Sequence, residues 1–111
     1  MGYTNYWEQT RDFTDNEWDK VVEEYQWLLE MDKKGIIDNQ CYGQAQIVFN
    51  GYELDSHETM VINKKFQEDD FQFCKTARKP YDTAVWHMLG FIKSNTGAFS
   101  KISRDDFGGW T

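Results

Sequence analysis

The chain has 111 residues, with five Trp, six Tyr and eight Phe, and a formal net charge of −7 at pH 7. That length suits one domain with a real core, and that aromatic content excludes a disordered chain. Residues 1–32 hold nine acids and two bases, which is the whole excess, so generic binding to nucleic-acid phosphates is not expected.

Gly2 to Asp12 is rich in Tyr, Trp and Thr, residues that suit a half-buried pleated surface, and predicts a strand over 4–11. Thr14-Asp15-Asn16-Glu17 then spells a capping box, with Phe13 and Trp18 at the positions of a hydrophobic staple. Trp18, Val21, Val22, Tyr25, Leu28 and Leu29 follow at helical spacing, opposite Asp19, Glu23, Glu24 and Glu30. A helix is predicted over 15–33, ended by Lys33-Lys34-Gly35.

Ile36 to Gly43 reads as a connection. Gln44 to Phe49 alternates as a strand, and Asn50-Gly51 signals a turn that opens a longer loop. A second strand is expected over 58–63. Lys64 to Phe73, acidic at Glu68, Asp69 and Asp70, reads as a loop. A second helix starts near Pro80, with Tyr81, Ala84, Val85, Met88, Leu89 and Ile92 as its buried stripe. Ala98 to Ser103 reads as the last strand, and 105–111 as a short tail. The order is βαββαβ. In a short chain that predicts a single α+β domain over 1–111, a ferredoxin-like two-layer sandwich with two helices on a four-stranded antiparallel sheet.

Cys41 and Cys74 are too few for a disulfide framework. No leader-like segment and no apolar run of spanning length is seen, so a reducing, cytoplasmic setting without membrane contact is expected.

The most unusual stretch is Phe73–Asp82, F-C-K-T-A-R-K-P-Y-D, which places Lys75, Arg78 and Lys79 just ahead of a helix N-terminus. Amides there attract anions, and Thr76 adds a hydroxyl donor, so a phosphate or carboxylate site is one reading. The other is a solvated basic loop that balances the acidic first helix. No Gly-rich phosphate loop is present. Cys74 beside cations has the setting of a lowered pKa, yet no base is placed next to it, and a half-buried structural Cys is the plainer reading. His57 and Glu58, with Asp55, carry acid–base groups on what also reads as a polar loop. No metal-ligand spacing appears, no cofactor is implied and no catalytic residue is assigned. His87 lies off the buried stripe beside Trp86, either as part of a contact surface or packed under the 64–73 loop. The acidic face of the first helix is either solvated or an imitation of nucleic-acid phosphate.

Through Phe49-Asn50-Gly51, His57-Glu58-Thr59, Phe73–Asp82, and Arg11-Asp12-Phe13-Thr14 followed by Glu17-Trp18, the chain resembles a set of small uncharacterised proteins of tailed phages and bacterial genomes. The resemblance spans most of the chain and implies a phage origin, with no activity attached. The expectation is a small binding module for a host protein or an anionic small molecule, through Lys75, Thr76, Arg78, Lys79, His57 and Glu58. One alternative is an enzyme on a phosphorylated or nucleotide-like substrate. Another is a structural or oligomeric role for an open sheet face.

Overall fold

The computed structural model describes residues 3–68 and 72–105. Its elements are β1 (Thr4–Gln9), α1 (Asp15–Met31), β2 (Asp38–Tyr42), β3 (Gln46–Asn50), β4 (Met60–Asn63), β5 (Gln72–Lys75), α2 (Asp82–Asn95) and β6 (Phe99–Arg104), with a short 3-10 turn at Glu53–Asp55.

The local reading of α1 holds. Thr14 accepts from the Glu17 amide at 3.1 Å and the Glu17 carboxylate accepts from the Thr14 amide at 2.9 Å, closing the capping box. Phe13 and Trp18 pack with ring centroids 5.3 Å apart. Trp18, Val21 and Tyr25 turn inward. In α2 the expected stripe from Tyr81 to Ile92 is buried throughout.

The single four-stranded sheet is not what forms. The strands make two separate three-stranded antiparallel sheets, ordered β5-β1-β6 and β2-β3-β4. β1 does pair with the last strand (Asn5 opposite Arg104), as a ferredoxin-like sheet requires. Its other edge, however, goes to β5, with Thr4 opposite Lys75. The two middle strands, β3 and β4, still pair with each other but do not join β1, and β2 adds to the free side of β3. β2 and β5 lie where a connection and a loop were expected. Both are edge strands with little buried surface: β2 is exposed over Asn39–Tyr42, and in β5 only Cys74 is fully buried. Backbone hydrogen bonds hold such strands, so they leave no apolar alternation in the sequence.

Each helix serves one sheet. α1 lies on β2-β3-β4, where Tyr25 stacks on Phe49 at 5.4 Å and the Trp18 indole donates to the Gly43 carbonyl at 2.8 Å. α2 packs on β1 and β6 and also touches α1. One apolar cluster joins both halves, from Trp7 and Ile102 through Val21 and Leu89 to Phe49 and Ile62. Of the first-strand aromatics that an open sheet face would carry, Trp7 is buried and Tyr6 is half-buried. No helix among the described residues is long and apolar enough to cross a membrane. Of the acidic 64–73 loop, Asp69, Asp70 and Phe71 lie outside the described residues, as does the expected tail beyond Asp105.

Glu17 also ties the start of α1 to the approach to β6. Its carboxylate accepts from both Arg11 guanidinium nitrogens, at 2.8 and 3.0 Å, and from the Gly97 amide at 3.0 Å. The Arg11 hydrogen bonds are the main reason its pKa falls well below the ordinary 4.5; partial burial opposes them, and the Thr14 and Gly97 amides reinforce them. A carboxyl lowered on folding contributes stability that is present above its unfolded value and lost as pH falls toward its folded one. Glu17→Gln is therefore expected to flatten the fall of the urea midpoint between about pH 5 and pH 2. An unchanged slope would remove Glu17 from the acid response.

Candidate functional site

The basic segment is a turn between β5 and α2. The Thr76 carbonyl accepts from the Lys79 amide at 3.0 Å, and the two residues between them have positive φ, 53° at Ala77 and 57° at Arg78. Asn-Gly is the usual pair for such a turn; side chains there cost about 1–2 kcal/mol each. A polar knot over-determines the conformation. The Thr76 hydroxyl donates to Asp82 Oδ1 at 2.7 Å, and Asn5 Nδ2 donates to the same oxygen at 2.7 Å. Arg104 pairs with Asp82 Oδ2. The Arg78 guanidinium lies 4.2 Å from the Tyr3 ring centre, and Arg104 lies 5.0 Å from Tyr3 and 4.6 Å from Trp86. Two buried atoms of the knot, Asn5 Oδ1 and Arg104 Nε, have no hydrogen-bond partner among the described residues.

The expected site residues thus have definite places. Thr76 is buried, and its hydroxyl is engaged by Asp82 rather than turned to solvent. Arg78 is stacked on Tyr3. Lys75 is exposed, its ammonium 5.8 Å from the Phe73 ring centre, and Lys79 is half-buried. Glu58 is brought to the segment: its carboxylate accepts from the Lys75 amide at 2.9 Å, and its own amide donates to the Lys75 carbonyl at 3.0 Å. His57 is exposed, and its backbone is held by the Asn50 side chain.

Cys74 is buried under this junction, and its thiol donates to the Glu58 carbonyl at 3.4 Å. Burial first, then the nearby Glu58 charge, pushes the thiol up to about 12. That is the setting of an inert structural thiol, the opposite of the lowered pKa a nucleophile needs. Among the described residues, no three His, Cys, Asp or Glu side chains gather so as to hold a metal ion.

A well-formed concavity lies elsewhere, between the last turns of α1 and the first turns of α2. It is a cleft of about 450 Å³, within the usual size of ligand sites. The loop after α1 builds its floor. The two Asp32 carboxylate oxygens accept from the Ile36 and Ile37 amides, each at 2.9 Å, and Gly35 takes φ 69°. The chain therefore folds back and lays both isoleucines beside Leu28. Trp27 and Met31 form the near wall and are 47% and 55% exposed. His87 of α2 stacks on Trp27 at 5.9 Å, and its Nε2 lies 2.6 Å from the Glu24 carboxylate. It thus faces α1 rather than the 64–73 loop. Lys33 and Lys34 stand on the rim, where they also complement the negative end of the α1 dipole.

The sequence reading missed this cleft. Trp27 and Met31 stand one turn apart, just outside the buried stripe of α1, and that i, i+4 apolar pair was the available signal. Comparison of the chain with protein-family profiles, with characterised proteins and with solved structures gives no match.

Proposed function

We propose that this chain is a small binding module, and that the cleft between α1 and α2 receives a partner offering an apolar group beside a negative charge. The observation that carries this reading is the pairing of an apolar, half-open cleft with the Lys33-Lys34 rim. Apolar walls supply affinity by area removed from water, and the two ammonium groups select the sign of what sits at the rim. The Cys74–Asp82 segment has a structural part in this reading, because its hydroxyl and one guanidinium are engaged within the fold. The buried Cys74 lacks the setting of a nucleophile, which leaves it a structural part as well. The phage origin belongs to the proposal on the resemblance of its segments alone.

Anilinonaphthalene sulfonate, an aromatic anion, is a direct probe of such a cleft. Saturable one-site binding to the native chain is expected, followed by the probe's fluorescence. Trp27→Ala combined with Lys33→Glu and Lys34→Glu should weaken it at least about tenfold, roughly 1.4 kcal/mol. Lys75→Ala with Lys79→Ala should leave it unchanged. The reverse pattern would move the site to the β5–α2 turn and end the cleft reading.

A further inference from the structure

We infer that the cleft's partner is a second copy of this chain, which inserts its Tyr52–Asp55 turn. This inference rests on the cleft reading above and names its occupant. Leu54 is 90% exposed and Tyr52 is 49% exposed, and the acids Glu53 and Asp55 flank Leu54. A loop tip is ordinarily polar, so a large apolar side chain in full contact with water needs a reason.

The backbone beneath that tip is fixed. Asn50 Oδ1 accepts from the Gly51 amide at 2.7 Å and from the His57 amide at 3.0 Å, clamping both ends of the loop. Asn50 Nδ2 donates to the His57 carbonyl at 3.1 Å. Inside the loop, the Tyr52 carbonyl accepts from the Asp55 amide at 2.7 Å, and the Glu53 carbonyl accepts from the Ser56 hydroxyl at 2.6 Å. Glu53 is held at φ 47°, a conformation a non-glycine residue adopts only under constraint. The turn therefore presents its apolar tip in one pose, and little ordering remains to oppose docking.

The tip and the cleft are complementary. One is apolar with Glu53 and Asp55 beside it; the other is apolar with Lys33 and Lys34 beside it. They are also neighbours on the molecule. Asn50, which starts the loop, pairs with Asp38, the residue after the cleft's Ile37. A projection and a recess side by side suit a two-fold arrangement in which each copy gives its turn and receives the other's. Two such contacts make a small interface, so the dimer is weak, with a Kd of about micromolar or above.

Sedimentation velocity of the full chain, up to about millimolar concentration, tests this. A concentration-dependent dimer is expected. Leu54→Glu, at a position 90% exposed, should raise the Kd at least about tenfold. Glu53→Lys with Asp55→Lys, and separately Lys33→Glu with Lys34→Glu, should each give monomers. All four changes in one chain should restore the dimer, since the swapped charges face each other again. A wild-type chain that stays monomeric, or a Leu54→Glu dimer as strong as wild type, overturns the inference. Sulfonate probe binding by a chain that stays monomeric would overturn this inference alone and leave the cleft reading standing.

Discussion

Asp82→Ala is expected to lower stability by about 3–5 kcal/mol, measured by urea unfolding at neutral pH with tryptophan fluorescence. The Asp82 carboxylate is shared by three groups: Arg104, the Thr76 hydroxyl and the Asn5 amide. Removing it leaves a largely buried guanidinium without its counter-charge and two donors without their acceptor. The turn at Ala77 and Arg78 then loses the bond that holds it in a left-handed conformation. Asp82→Leu combined with Arg104→Met should recover part of the loss. That pair removes both charges together and also removes Arg104 Nε, one of the unpartnered buried atoms. A loss under about 1 kcal/mol for Asp82→Ala would show the knot to be well hydrated and of little structural weight.

Gly51→Ala is the second large effect, with about 2–3 kcal/mol of destabilisation expected. A Cβ at position 51 would stand 2.2 Å from the Asp55 carbonyl oxygen, 2.9 Å from its carbon and 3.1 Å from the Tyr81 ring. The obstacle is backbone and a buried ring, so neither side yields cheaply. Amide shifts should change from Asn50 to His57 and little in α1, and dimer formation should fall with them. Gly90→Ala is the control of opposite sign. Nothing lies within 4 Å of the added carbon there, and an Ala inside α2 should add about 0.5–1 kcal/mol. A Gly51→Ala chain as stable as the parent would mean that the Tyr52–Asp55 turn has a second conformation of equal energy.

What was legible in the sequence divides along the range of the interactions. The start of α1 is encoded within residues 13–18, and it forms as read, down to the reciprocal bonds of Thr14 and Glu17. The stripe of α2 is equally local. The sheet arrangement is not. Whether β1 gives its second edge to β4 or to a later strand depends on Gln72–Lys75, a four-residue strand with one fully buried side chain and no periodic signal. The basic cluster at Lys75, Thr76, Arg78 and Lys79 was visible as a cluster. The residues that give Thr76 and Arg78 their roles, Tyr3, Asn5, Asp82 and Arg104, are scattered from one end of the described chain to the other. The cleft escaped for a different reason. Its walls come from side chains just off a buried stripe and from a return loop shaped by Asp32, and neither carries a pattern of its own.

The central position of β1 imposes an order on synthesis. Thr4 pairs with Lys75 and Asn5 with Arg104, so the first strand made is completed only by the fifth and the last. The sheet under α1 is assembled within residues 38–63, and Tyr25 and Trp18 are already on hand to cover it. On a chain emerging from its N-terminus, that half has all its strands while β1 still has none to pair with. Trp7 and both hydrogen-bonding edges of β1 stay uncovered over that interval, and the last strand to arrive closes the molecule.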